Sequence, residues 1–276
     1  MKDLDGKNVV VAGGSYGIGK EIARAFLREG ANLFIIARNR EKLEASVEEL
    51  KQDARNNLRV KGFPCDVTAR EDIAHTIDRI ASDEGGIDVL TYNAGIVIPG
   101  YFEKLSVDDF ETVLRTNYLG AIYTTKAALP HLLSREKSAI TFTSSVAGHK
   151  GVFGYSTYSP TKSALIRLAE VLRAELKDKG VQVTVLCPPD TDTPGFREEK
   201  KVRPPETEAI AGTAALMSPA DVASCFLKGF KKGKFMVFCD FTSRLLYRVN
   251  GISPRFTDFY MDSMVALGRR KASKSR

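Results

Sequence analysis

The chain is poor in the residues that mark metal and disulfide sites: its 276 residues hold four cysteines and three histidines. Cys65, Cys187, Cys225 and Cys239 are scattered, with no C-x-x-C spacing, so they indicate neither zinc nor a redox pair and read as small, reduced core residues. His75, His131 and His149 form no ligand pattern, and no metal is expected. Also lacking is an unbroken apolar run of about 18 residues, the length a single helix needs to cross a bilayer. The opening stretch, MKDLDGKNVVVAGG, has no charged-then-apolar signal profile, so the protein is expected in the cytosol or on the cytosolic face of a membrane. No internal repeat, low-complexity tract or linker divides the chain.

Acidic residues are scarce near the end. From residue 231 onward eleven Lys or Arg face only Asp240, Asp258 and Asp262, a net +8, although the whole chain carries +7. An anionic partner should therefore meet the C-terminus. Nucleic acid is a poor candidate, because no recognised binding motif accompanies the charge.

What is present is an alternation. Apolar runs rich in Val, Ile and Phe lie at Asn8–Ala12, Asn32–Ala37, 58–65, 87–91, Ser138–Thr143, Val181–Cys187 and 234–239. Helical patterns fall between them, near 17–29, 40–54, 69–84, 106–134, 157–179 and 219–231. Near-continuous apolar strands alternating with helices imply a parallel sheet covered on both faces. Residues 188–219 break the rhythm, holding six of the eleven prolines and little periodicity. Following the sixth strand, where open α/β sheets bind ligands, they are expected to form a substrate lid.

Three stretches point to chemistry. VVVAGGSYGIGKEIARAF puts glycines at 13, 14, 17 and 19 between a strand and a helix, a turn whose backbone can approach a pyrophosphate at a helix N-terminus. After the second strand, FIIARNREKL offers Arg38 where an NAD binder would place an acid. With Arg40 and Lys42 nearby, it suits the 2′-phosphate of NADP(H). In TYSPTKSALIRLAEVL, Pro160 fits a first helical turn, and residues four apart put Tyr158 beside Lys162. An adjacent ammonium stabilises phenolate, so the tyrosine is expected to have a lowered pKa and to exchange protons.

In order and spacing these motifs resemble the short-chain dehydrogenase/reductase family over roughly residues 6–240. AGGSYGIG (12–19) is similar to T-G-x-x-x-G-x-G with Ala12 for Thr, and YNAG (92–95) to N-N-A-G. Ser145 in TSSVAG precedes Tyr158 of Y-x-x-x-K by thirteen residues, and Asn117 lies in RTNYLG. The resemblance implies a Rossmann-type, doubly wound parallel sheet of seven strands over 1–240, and catalysis by Ser145, Tyr158, Lys162 and Asn117. It places NADPH against Gly13, Ser15, Tyr16, Gly17, Ile18 and Gly19, with Arg38 and Lys42 at its phosphate. Asp66 and Val67 flank the adenine, Asn93, Ala94 and Gly95 line the trough, and Thr193 reaches the carboxamide while Lys162 holds the ribose. Asn117 would position a water linking Lys162 to solvent. A dimer or tetramer is implied as well.

Residues 187–196, CPPDTDTPGF, resemble the 3-ketodihydrosphingosine reductase branch of that family. The implied substrate is a long-chain amino ketone, whose ammonium Asp190 or Asp192 could pair with beside Phe196. Local Asx-type bonding is an equal account of those two aspartates. Rival readings are reduction of another lipid-like ketone, such as a 3-oxoacyl thioester or steroid, and a non-catalytic NADP(H) sensor. Residues 241–276 read as an extension, not a domain. FTSRLLYRV forms a short helix stopped by the Asn-Gly at 250–251, and Ser253 and Pro254 start another. The second puts Phe256, Phe259, Tyr260, Met264 and Leu267 on one face before a basic tail. Peripheral contact with an anionic membrane is one reading of this extension, and a roof over the pocket or an oligomer contact the other.

Overall fold

A computed structural model describes residues 1–55, 57–212 and 216–274; positions 213–215 of the expected lid and Arg276 of the basic tail lie outside them. Seven parallel strands, β1 (Asn8–Ala12), β2 (Asn32–Ala37), β3 (Val60–Pro64), β4 (Val89–Tyr92), β5 (Ser138–Thr143), β6 (Val181–Cys187) and β7 (Met236–Phe238), pair in the order β3-β2-β1-β4-β5-β6-β7. The strand order reverses between β1 and β4, leaving a crevice beyond their carboxyl ends.

Side chains alternate along each strand and so serve two cores. Val10, Ala12, Phe34, Ile36, Leu90 and Tyr92 face α3 (Arg70–Glu84), α5 (Gly120–Leu133) and α6 (Ser159–Leu176). Val9, Val11, Leu33, Ile35 and Val89 face α1 (Gly17–Arg28), α2 (Arg40–Asp53) and α9 (Pro219–Lys231). With both faces covered, the strands are apolar throughout, which is why they read as continuous runs.

The helix expected over 106–134 is not uniform. Ser106 caps α4 (Val107–Leu114) through a capping box with Asp109, then a π-helical segment, Arg115–Leu119, leads into α5. The wider turn falls at Asn117, and π-segments are frequent at functional positions.

The lid excursion carries two short helices. Thr193 caps α7 (Pro194–Val202), and α8 (Pro205–Ala211) starts at the second residue of a Pro-Pro pair. Their start signals, Thr-Pro and Pro-Pro, are plain in the sequence, but each helix is too short to reveal a period. A bridge between Thr191 and Met217 ties the two ends of the excursion together.

The last two helices are α10 (Phe241–Ile252), capped by Asp240, and α11 (Pro254–Lys274). The Asn-Gly pair does not stop α10; the helix runs through it to Ile252 and ends at Ser253. α11 packs on α8 where Gly268 leaves room, since a Cβ there would stand 2.6 Å from the Glu206 Cα. Arg269 lies 3.5 Å from Glu206, which also accepts the Tyr101 hydroxyl at 3.0 Å. α11 thus folds against the lid.

Candidate active site

The turn after β1 builds a cradle that only glycine permits. Gly13 has φ +82, and a Cβ there would lie 2.5 Å from the Ala94 nitrogen. At Gly19 a Cβ would overlap the Gly13 carbonyl and come 2.6 Å from Asn93 Nδ2. Tyr16, the N-cap of α1, makes no side-chain cap bond, so first-turn N–H groups have no capping side chain. Asn93 donates to the Gly13 carbonyl at 3.1 Å, while its buried Oδ1 has no partner among the described residues. A glycine cradle, open helix donors and an orphaned buried acceptor fit a nicotinamide dinucleotide with its pyrophosphate on α1. Gly13, Ser15, Tyr16, Gly17 and Ile18 line one cavity of about 1260 Å³. Gly19 shapes its floor without lining it. Asn93, Ala94 and Gly95 line the same cavity, with Asp66 and Val67 further along.

At the adenine end Arg38 is 77 % exposed and 3.4 Å from Asp66, whose other oxygen accepts from Thr68 at 2.8–2.9 Å. Lys42 stands over the Tyr16 ring at 5.7 Å. Arg38 and Lys42 thus bring two cations to this end.

Ser145, two residues beyond β5, caps a short turn, its Oγ accepting from the Ala147 N–H at 3.1 Å. Tyr158 precedes α6, and the Lys162 N–H donates to the Tyr158 carbonyl at 3.1 Å, which sets the four-residue spacing. Lys162 is 3 % exposed; its Nζ donates to the Thr143 carbonyl at 2.9 Å and lies 5.5 Å from the Tyr158 ring centroid. Ser145, Tyr158 and Lys162 therefore converge on the cavity.

The electrostatics differ from the sequence expectation. Burial pushes the Tyr158 phenol above its ordinary range, and the Glu199 carboxylate pushes it further; a hydrogen bond with Ser145 pulls the other way. Burial draws Lys162 down to about 8. Without cofactor Tyr158 is thus a firmly protonated phenol, suited to giving a proton. The lowering expected from Lys162 is not found: desolvation and the nearby Glu199 and Asp190 carboxylates hold the phenol up.

Asn117 is fully buried and does not line the cavity. Its Oδ1 accepts from the Ile96 N–H at 2.8 Å, and its Nδ2 donates to the Ile96 carbonyl at 2.9 Å and to Thr161 Oγ1 at 3.0 Å. The side-chain amide clamps the strand-end segment to α6 and has no donor left for a water. It still stands near Lys162: a Cβ on Gly95 would lie 3.2 Å from Lys162 Nζ and 3.3 Å from Asn117 Oδ1.

The lid corrects one substrate residue. Asp192 points away from the cavity and holds Arg197 through two bonds of 2.7 and 2.9 Å on the surface. Asp190 lines the cavity, but Arg203 occupies both its oxygens, at 2.8 and 3.3 Å. Thr193 touches the phosphate turn, where a Cβ on Gly17 would meet its methyl at 3.1 Å. Phe196 lines the cavity beneath the Arg203 guanidinium, 4.8 Å away.

Sequence reasoning passed over the group beneath that lid. Arg203, with a side chain 2 % exposed, donates to Glu199 at 2.6 Å. Glu199 also accepts the Tyr155 hydroxyl, and Tyr155 stands edge-on to Tyr158 with centroids 5.5 Å apart. The i,i+4 spacing of Glu199 and Arg203 was a weak signal; Tyr155 gave none.

α10 and α11 roof the far side. Leu246, Tyr247, Tyr260 and Met261 line the cavity, and His149, kept neutral because burial holds it down to about 4, packs on Tyr247 at 4.6 Å. Asn250 bonds the His149 carbonyl at 3.3 Å and Thr257 at 2.7 Å. The face expected on α11 is therefore split. Tyr260 turns inward, whereas Phe256 and Phe259 are 60 % and 71 % exposed. Among the described residues, no helix is long and apolar enough to cross a membrane.

A sequence profile of the short chain dehydrogenase family matches residues 7–203. The chain is 38 % identical over 272 residues to a 3-ketodihydrosphingosine reductase of Dictyostelium discoideum, covering 93 % of this chain and 80 % of that one. It is 40 % identical over 234 residues to a 3-dehydrosphinganine reductase of Danio rerio, covering 84 % and 70 %. In fold it is similar to a short chain dehydrogenase/reductase from Burkholderia phymatum solved with NAD. The TM-score is 0.82 at 22 % identity, over 93 % of this chain and 97 % of that one.

Proposed function

The chain belongs to the short chain dehydrogenase family, and we propose that within it this protein reduces the 3-keto group of 3-ketodihydrosphingosine to sphinganine with NADPH. The observation that carries the reading is the convergence of Ser145, Tyr158 and Lys162 on a cavity of about 1260 Å³. Its volume exceeds that of ordinary ligand sites, room for a dinucleotide and a long chain together. The relatives named for this substrate support the choice of ketone. Arg38, just after a strand that carries no acid, and Lys42 in the first turn of α2 support NADP(H) over NAD(H).

When bound, the dihydronicotinamide supplies the hydride to the carbonyl carbon. Tyr158 gives its phenolic proton to the carbonyl oxygen, and Ser145 donates a hydrogen bond to that oxygen as charge grows on it. The Lys162 ammonium steadies the phenolate left behind until solvent returns the proton.

The test is NADPH oxidation with 3-ketodihydrosphingosine in mixed micelles, with a 3-oxoacyl thioester and a steroid ketone alongside. Preference for the sphingoid ketone supports the reading, and turnover of another ketone alone sinks it. Tyr158→Phe separates an enzyme from a non-catalytic sensor: turnover should fall by about 10² or more with NADPH affinity retained.

The same reading extends to where the substrate is met. Leu245, Ile252, Phe256 and Phe259 are exposed on α10 and α11, with Arg248 and Arg255 exposed nearby, while inner faces of those helices line the cavity. Apolar and basic residues at a pocket's roof suit peripheral docking on an anionic lipid surface.

A further inference from the structure

A ketone with an ammonium on the neighbouring carbon needs an anionic group close to Tyr158. Four carboxylates line the cavity: Asp66, Asp190, Glu198 and Glu199. Asp66 sits with Arg38 at the adenine end. Glu198 is exposed and taken by Lys201 at 2.7 Å. Asp190 has both oxygens on Arg203. Glu199 differs. Its Oε1 accepts from Tyr155 and Arg203, while Oε2 accepts no hydrogen bond among the described residues, although the side chain is only 10 % exposed.

The charge balance agrees. Two inner carboxylates, Asp190 and Glu199, face the single buried guanidinium of Arg203, leaving one negative charge in excess. Glu208, 3.6 Å from Arg203, is more exposed and is met by Lys200 at 3.3 Å. The excess lies one aromatic ring from the reaction, because the Tyr155 that binds Glu199 packs edge-on against Tyr158. Glu199 also acts on Tyr158 through space, raising its pKa. An arriving ammonium would offset that push and ease loss of charge balance as the proton leaves.

We propose that Glu199, held by Tyr155 and Arg203, is the specificity-determining carboxylate that receives the ammonium of an amino ketone and sets the adjacent carbonyl against Tyr158 and Ser145. The inference rests on the sphingoid reading above. It replaces the surface aspartate at 192 with a buried group whose negative charge exceeds its counter-charge. Such a group discriminates by penalty as well as by attraction: a ketone without the amine leaves it uncompensated.

The experiment compares kcat/KM for 3-ketodihydrosphingosine and for 1-hydroxyoctadecan-3-one, its deaminated counterpart, in mixed micelles. Wild type, Glu199→Gln and Glu199→Asp are assayed, with NADPH affinity as the check on folding. A charge-assisted hydrogen bond predicts a wild-type preference for the amino ketone of about 10- to 100-fold. Glu199→Gln should lower kcat/KM for the amino ketone about 10-fold more than for the deaminated one, mainly through KM. Glu199→Asp, which keeps the charge, should retain a preference. Equal losses on both ketones in Glu199→Gln overturn the proposal. Should that variant not bind NADPH, loss of preference in Glu199→Asp, or no preference in wild type, does the same. Turnover of neither ketone by wild type would instead refute the sphingoid reading.

Discussion

Arg203→Met tests the lid most directly. The guanidinium is 2 % exposed, bonds Asp190 at 2.8 and 3.3 Å and Glu199 at 2.6 Å, and lies 4.8 Å from Phe196 and 5.8 Å from Tyr155. Methionine conserves much of the aliphatic packing but strands two inner carboxylates. Breaking a buried pair by removing one partner costs about 3–5 kcal/mol, most of it from the charge left behind. Asp190 is 27 % exposed, so water can relieve part of this, and the lower end of the range, about 3 kcal/mol, applies. The lid can release the strain by lifting, without disturbing the two cores on the sheet. Hydrogen exchange should therefore accelerate roughly 100-fold in Pro194–Val202 and Pro205–Ala211, with Gly17–Arg28 and Arg70–Glu84 unchanged. Adding Asp190→Asn and Glu199→Gln should recover most of the protection. Unchanged exchange in α7, or an equal acceleration in the sheet helices, would refute the claim that this ion group pins the lid.

Three further perturbations follow from the geometry. Gly19→Ala should abolish NADPH binding in a titration while the fold survives, because the added methyl enters the space of the Gly13 carbonyl; full affinity would contradict the cradle. Lys162 has its folded pKa near 8 against an ordinary 10.5, so the unfolded chain binds the extra proton between those values. Stability contributed by this site should rise with pH across that window, by about 3 kcal/mol in all, while kcat/KM falls above pH 8 as the ammonium is lost. The difference in unfolding free energy between wild type and Lys162→Met, followed from pH 7 to 10, checks the sign. Phe256→Asp with Phe259→Asp should abolish co-sedimentation with anionic vesicles and leave turnover of a micellar substrate intact; undiminished sedimentation would remove the lipid surface as the partner.

Much of the fold was legible because its signals are local. The strands at Asn8–Ala12, Asn32–Ala37, Ser138–Thr143 and Val181–Cys187 fall where the apolar runs lie, since burial on both faces removes polar interruptions. Elsewhere boundaries shift by a few residues, as with β3 at Val60–Pro64 inside the longer run 58–65. The π-segment at Arg115–Leu119 was invisible, since one extra residue per turn does not disturb a helical pattern enough to register.

At the site the division is sharper. Gly13, Gly19, Ser145, Tyr158 and Lys162 belong to short motifs whose spacing is itself the geometry: a turn that tolerates no Cβ, or two side chains one helical turn apart. Sequence alone therefore determined the glycine turn, the spacing of Tyr158 and Lys162 and the parallel sheet that presents them. Only the tertiary structure decided which acid faces the cavity. Asp190 and Asp192 sit two residues apart, yet one is drawn under the lid by Arg203 and the other is spent on Arg197 at the surface. It likewise joined Glu199 to Tyr155, which are 44 positions apart, and turned Tyr260 inward while Phe256 and Phe259 stayed in solvent. These outcomes depend on how α7, α8 and α11 close over the sheet. A charge pair or a packed ring reports the positions of both partners, and no local pattern carries the second one.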